Sequence, residues 1–294
     1  MSEARRATIE RIHRAVAHIE HRLGERITVA DAARAACYSP YHFHRTFSAL
    51  TGETVMEYVR RRRLTIAARA LCATERPIVA IALDAVFESQ EAFTRAFRAQ
   101  FGTTPGRYRR SGGHSTVNAR PAWTLEALML TGGGVPMEAT YVERPEMRVV
   151  GLSGRYRPGA TDGIPALWQD MVTRWSAAGR PFPPVCFGVC FDEGDCAAEE
   201  NPAFTYMAAF ETTDDAPAPE GFELRTVPAN RYAVFTHRGP IVRIGETYRR
   251  IFGEWLPGSG LTRAEGPDFE LYDERFDPAT MGGEVDIYVP VAEA

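Results

Sequence analysis

Apolar residues between about residue 5 and residue 110 recur every three or four positions, which is the spacing of helices that bury one face. From Met137 the recurrence changes to every second position, the spacing of strands. The pattern predicts an all-α N-terminal part with one long helix over 55–73. Beyond it come strands near 137–142, 147–156, 185–191, 203–211, 222–227, 231–237, 268–273 and 284–290, interrupted by helices near 163–178 and 241–255. After the opening strand the order strand, helix, strand, strand occurs twice. That order is the signature of an α+β domain, an antiparallel sheet of duplicated β-α-β-β design with two helices on one face. Residues 111–120 (SGGHSTVNAR) show no period, so the chain divides into 1–110, a linker over 111–136, and 137–294.

The helical part repeats itself at an offset of 50 residues without a gap. Residues 27–60 and 77–110 share thirteen identities in 34 positions, among them Ser39/Ser89, Phe43/Phe93, Arg45/Arg95, Phe47/Phe97, Gly52/Gly102 and Tyr58/Tyr108. In each copy a short helix leads through a tight turn to a second helix, capped by Ser39 or Ser89 and ended by Gly52 or Gly102. The second helix turns Phe43, Phe47 and Leu50 inward in the first copy, and Phe93, Phe97 and Phe101 in the second. Its polar face shows Tyr41, His44, Arg45 and Ser48 in one copy, and Glu91, Thr94, Arg95 and Arg98 in the other. A short helix followed by an arginine-bearing one is the helix-turn-helix arrangement, present here twice and joined by the long helix.

Charge supports a polyanionic partner for this half. Residues 1–110 hold 19 arginines and 11 acids, a net of +8, whereas residues 111–294 hold 15 arginines and 27 acids, a net of −12. The run Arg60–Arg63 begins beside the first polar face, and Arg61 is its candidate phosphate contact. No apolar run reaches the ~18 residues of a membrane span, and the N-terminus lacks a secretory pattern, which implies a cytoplasmic protein with no membrane partner. The five cysteines, Cys37, Cys72, Cys186, Cys190 and Cys196, fit no common zinc spacing and read as ordinary thiols. Neither a metal site, a cofactor motif nor a catalytic motif emerges.

The segments SPYHFHRTFSALTG, YVRRRRL and FESQEAFTRAFRAQFGTTPGRYRR resemble the signature of the AraC/XylS family of regulators. The resemblance implies two recognition helices that enter successive major-groove segments of double-stranded DNA. One chain would then read an asymmetric operator of about 20 bp. Carried onto this sequence, the readers are Tyr41, His44 and Arg45, then Gln90, Glu91, Thr94 and Arg95, with Ser39 at the first helix's cap. RNA polymerase is a further candidate partner. Three positions depart from familiar members: Tyr41 stands for a tryptophan, His44 for a glutamine and Glu91 for one of two adjacent glutamines. His44 reads either as a base contact or as a phosphate contact or plain surface residue. Glu91 reads either as an acceptor for cytosine N4 or as a stabiliser of its own helix N-terminus.

The segments RYAVFTHRGP, FGEWLPGSG, DFELYDERFDP and EVDIYVPV resemble the GyrI-like effector-binding domain. That implies a groove between the duplicated halves for a small, often amphipathic or cationic, effector. Alternation along the strands expects Phe269 and Leu271, with Val285, Ile287 and Val289, under the helices. Glu270 and Tyr272, with Asp286 and Tyr288, would then share the uncovered face. An acid among aromatic rings suits a cation. Trp168 and Trp175 share a helical face, and they and Trp255 read either as core or as effector wall. The effector-site candidates are therefore Glu270, Tyr272, Trp168, Tyr288 and Trp255. Some GyrI-like domains hydrolyse reactive small molecules through a glutamate and an aromatic hydroxyl, so the alternative to a sensor is a hydrolase fused to a DNA-binding domain.

Overall fold

The computed structural model describes residues 2–112, 118–131, 137–157, 161–192, 203–213 and 218–293. Two compact units emerge, one formed chiefly by Glu10–Thr131 and the other chiefly by the residues from Gly132 onward.

The helical unit comprises α1 (Glu3–His21), α2 (Val29–Ala36), α3 (Pro40–Thr51), α4 (Val55–Ala73), α5 (Ile78–Asp84), α6 (Gln90–Phe101), α7 (Pro105–Arg110) and α8 (Leu125–Met129). Local chemistry sets the boundaries. Thr28 with Asp31, and Thr54 with Glu57, close reciprocal capping boxes at the starts of α2 and α4. Ser39 and Ser89 cap α3 and α6, and Pro40 opens α3 where its missing N–H has no helical partner to lose. Gly52 and Gly102 end the same two helices at φ of 75° and 73°, the left-handed region in which a Cβ is strained. The repeat is visible in the core. The rings of Phe43, Phe47 and Tyr58 pack in series at 5.7 Å and 5.7 Å, and those of their counterparts Phe93, Phe97 and Tyr108 at 5.5 Å and 5.3 Å.

Part of the expected linker is structured. Residues 118–131 belong to the helical unit: Ala119 packs against the second copy's core, and Leu128 of α8 is fully buried. The lack of periodicity misled because this segment docks through side-chain and backbone hydrogen bonds, which alternation does not record.

The second unit contains β1 (Thr140–Arg144), β2 (Met147–Tyr156), α9 (Ile164–Ala177), β3 (Cys186–Phe191), β4 (Phe204–Glu211), β5 (Glu223–Val227) and β6 (Asn230–Pro240). It continues with α10 (Ile244–Arg250), a π-helical turn over Ile251–Trp255, α11 (Leu256–Ser259), β7 (Leu261–Arg263), β8 (Asp268–Tyr272), β9 (Phe276–Asp277) and β10 (Gly282–Glu293). The strands form one antiparallel sheet in the order β1-β6-β10-β8-β3-β4-β2-β5, with β7 and β9 paired to β10. The duplicated halves meet where β8 pairs with β3, and Glu270 lies opposite Gly188 at that seam. The helix expected over 241–255 is instead a short α-helix, a π turn and a further turn to Ser259. Both faces of the central strands are mostly apolar and buried, while β1 and β5 at the edges are largely exposed. Val150, Leu152, Ala208 and Phe210 pack under α9, while Val149, Val189, Met207, Phe269 and Tyr288 form a second cluster on the other side.

Candidate DNA interface and effector site

On the helical unit the two faces expected to read DNA differ. Gln90, Glu91 and Arg95 on α6 are exposed and Thr94 is half-buried, so this face is open. Of the residues expected to read DNA from α3 and its cap, Ser39 is exposed and Arg45 partly so, whereas Tyr41 and His44 are 5 % and 3 % exposed, contrary to the open face that helical spacing implies. Arg45 lies over the Tyr41 ring at 4.8 Å. Burial, and then the neighbouring Arg45 charge, push the His44 imidazole down to about 4, so it is neutral. Among the described residues neither His44 Nε2 nor Ser48 Oγ has a hydrogen-bond partner. Sequence alternation reports which residues are polar, not whether tertiary contacts cover them, and here they are covered.

Glu91 sits at the start of α6. Its carboxylate is held below the usual range by a hydrogen bond from its own backbone N–H, then by the Ser89 hydroxyl. That geometry favours the helix-stabilising reading.

The arginine run divides its labour. Arg60 is exposed, and Arg61 is half-exposed and pairs with Glu53 at 3.2 Å. Arg62 is buried and grips Glu20 with Nε and Nη2 at 2.8 and 2.7 Å. Arg63 donates to the carbonyl of Leu23 at 2.9 Å and to that of Glu25. The second half of the run thus ties α4 to the end of α1 and the turn after it.

In the sheet unit Glu270 is buried. Tyr206 and Tyr272 each donate a hydroxyl to Oε2 at 2.8 Å, and Tyr248 donates to Oε1 at 3.1 Å. Trp168 Nε1 donates to the Tyr206 hydroxyl at 3.1 Å, and its ring meets Tyr272 edge-on at 5.4 Å. Tyr156 closes on Tyr206 at 6.3 Å. Burial, reinforced by the Glu270 charge, raises the Tyr206 and Tyr272 phenols well above their ordinary value, so both remain protonated donors. Gly188 makes the arrangement fit: a Cβ there would stand 2.0 Å from the Tyr206 hydroxyl and 2.7 Å from Glu270 Oε2.

The structure therefore brings together Glu270, Tyr272 and Trp168 and leaves out the other two effector-site candidates. Glu270 lies on the helix side, between Trp168 of α9 and Tyr248 of α10, not on an uncovered face. The register pairs Ile287 with Glu270 and Tyr288 with Phe269, so Tyr288 and Asp286 are on the opposite face. Tyr288 stacks on Phe269 at 4.5 Å, with Arg144 over it at 5.6 Å. Trp255 packs edge-on against Phe235 at 4.7 Å. Alternation holds within each strand, and Val285, Ile287 and Val289 do lie under the helices, but β8 is turned the other way: Glu270 and Tyr272, not Phe269 and Leu271, share their face, and alternation could not decide this because β8 is buried on both sides. Of the two tryptophans on α9, Trp175 is core, packed on Phe210 and Phe222, while Trp168 reaches the carboxylate. Tyr206, Tyr248, Tyr156 and Gly188 escaped sequence reasoning. A glycine at the centre of the strand CFGVCF was the available signal.

Cys186 and Cys190 lie in β3, and burial pushes the Cys186 thiol up to about 11. Cys196 lies outside the described residues. No group of three or more metal-ligating side chains occurs among the described residues, and no helix among them is long and apolar enough to cross a membrane.

Comparison with known proteins agrees with this layout. Residues 137–292 match the GyrI-like small molecule binding domain, and residues 32–111 match a helix-turn-helix domain. The chain is 38 % identical over 157 residues to the transcriptional regulator BrlR of Pseudomonas aeruginosa, covering 53 % of this chain and 56 % of that one. It is 29 % identical over 265 residues to the transcriptional regulator Rob of Salmonella typhimurium, covering 89 % of this chain and 90 % of that one. It is also 41 % identical over 110 residues to the transposon Tn10 TetD protein of Escherichia coli, covering 37 % of this chain and 73 % of that one. With paired helix-turn-helix units and this second unit in one polypeptide, the chain belongs to the AraC family of DNA-binding transcription regulators, among the members that carry a GyrI-like domain.

Proposed function

We propose that the sheet unit senses an organic cation at Glu270 and that occupancy changes how the helical unit engages an asymmetric operator of about 20 bp. The observation that carries this reading is a buried carboxylate served by three phenolic hydroxyls and walled by Trp168. These neutral donors stabilise the charge without cancelling it, and they belong to aromatic rings, a type of side chain whose faces attract cations. The same geometry favours sensing over hydrolysis, since Tyr206 and Tyr272 are held protonated and are poor nucleophiles.

Calorimetric titration of tetraphenylphosphonium into the wild type and Glu270→Gln tests the proposal. A charge-assisted contact contributes about 1.5–3 kcal/mol, so the variant should bind ~10- to 100-fold more weakly. Operator binding without ligand should be the same in both. Equal affinity of the two proteins for the cation would refute the assignment.

A further inference from the structure

If both expected reading helices dock on one operator, their separation must match the spacing of its half-sites. The long helix α4 supplies one connection between the copies. A second connection lies in the segment after α7, and it touches the C-terminal end of each reading helix. Gln100, in the last turn of α6, donates to the Asn118 carbonyl at 3.2 Å, and Ala119 packs on the second copy's core. The next residue crosses to the first copy. Arg120 Nε donates at 2.7 Å to Glu53, which stands directly after the glycine that ends α3.

Arg120 is also fastened along α4. Its N–H donates to Thr65 Oγ1 at 2.9 Å, and its carbonyl accepts from Arg62 at 2.7 Å. Its guanidinium lies 4.6 Å over Trp123 and 6.0 Å over Tyr58. Glu53 and Arg120 have side chains only 8 % and 19 % exposed, so this is a largely desolvated pair with fixed geometry.

The internal repeat marks the same place. At the offset of 50, Gln100 corresponds to Leu50 and Glu53 to Thr103. Leu50 is buried in its own copy's core. The copies therefore diverge at the two positions that hold Asn118 and Arg120.

We propose that Asn118–Trp123 is a strap that sets the spacing of α3 and α6 on DNA, with Arg120 as its positioning residue. The inference rests on both helices reading one operator. Losing the strap leaves each reading face intact but lets the separation vary. One base pair inserted between the half-sites moves the second by about 3.4 Å and rotates it by about 35°, a displacement a strapped protein does not tolerate.

The test is enrichment of random 30-bp duplexes by full-length wild type, Arg120→Ala and Gln100→Leu, each first checked for cooperative thermal unfolding. The wild type should recover two half-motifs at one separation. Both variants should recover the same half-motifs at two or more separations. For a duplex with one inserted base pair, the wild type should lose ~10-fold or more in affinity and the variants under ~3-fold, a difference of at least ~0.7 kcal/mol in discrimination. Gln100→Leu restores the residue of the first copy and decides the matter if Arg120→Ala does not fold. A single unchanged separation and unchanged discrimination in a folded variant would overturn the strap. A single half-motif from the wild type would overturn both the strap and the two-reader operator.

Discussion

His44 offers a prediction with a definite sign. The perturbation is acidification from pH 7 to pH 5, compared between the wild type and His44→Gln. The imidazole is neutral in the folded protein because burial lowers it from 6.5 to about 4. The unfolded chain binds the proton first, so stability falls as pH drops through 6.5 and the loss is complete only below about 4. For a shift of this size, linkage gives a loss of ~2 kcal/mol between pH 7 and pH 5, and ~3 kcal/mol by pH 4. Glutamine does not titrate, so the difference between the two proteins isolates this one group from the other acids and histidines. Urea denaturation followed by circular dichroism at pH 7, 6 and 5 measures it. The wild type should lose ~2 kcal/mol more than the variant. Parallel pH dependences would show that the imidazole charges where it stands and that the α3 face is open to water. The same linkage gives the reading face a bias toward exposure in acid, since an uncovered His44 can take its proton. Its unpartnered Nε2 adds to that bias, because an unsatisfied buried polar atom costs about 1–3 kcal/mol.

Three further outcomes follow from particular contacts. Arg62→Ala should cost ~3–5 kcal/mol in urea denaturation because it strands Glu20, whereas Arg60→Ala should stay within ~0.5 kcal/mol. Gly188→Ala should cost ~1–3 kcal/mol through overpacking against Tyr206 and abolish cation binding in calorimetry. In fluorescence titrations, Arg95→Ala should weaken the enriched operator by ~1–3 kcal/mol and leave random DNA almost unchanged; equal losses on both would make Arg95 a phosphate contact.

Periodicity and the repeat located nearly every element, because each is stabilised by signals that lie within a few residues. Thr28, Ser39, Thr54 and Ser89 cap their helices with their own side chains, and α4 has the expected limits of 55–73. What eluded the sequence depends on partners far along the chain. Arg62 looked like one of four surface arginines until Glu20, 42 residues away, closed on it. Asn118–Arg120 lacked any period because its order comes from Gln100, Thr65 and Glu53. Tyr206 and Tyr248 carry no mark of their joint role, since three separate elements must assemble before their hydroxyls converge on Glu270.

Two acids on one strand show why a buried carboxylate alone does not define a ligand site. Asp268 and Glu270 are two residues apart in β8, both buried, and parity places them on the same face. Asp268 meets the buried guanidinium of Arg263 at 3.1 Å, and a cation arriving there would have to displace a partner already supplied by the chain. Glu270 meets phenols. Hydroxyl donors satisfy the lone pairs of a carboxylate, so it survives desolvation, yet they bring no positive charge to oppose an incoming one. Replacing a phenol by a ligand cation therefore gains a charge–charge attraction in a site of low dielectric, whereas an anion would meet uncompensated repulsion. On the proposed reading the sign of the effector follows from which kind of donor the fold chose for each acid, and exchange of that choice is the sharpest perturbation of it. A Tyr206→Arg substitution, in the space that Gly188 leaves open, would supply the cation internally, and the site should then lose its preference for charged over neutral aromatic ligands in calorimetry.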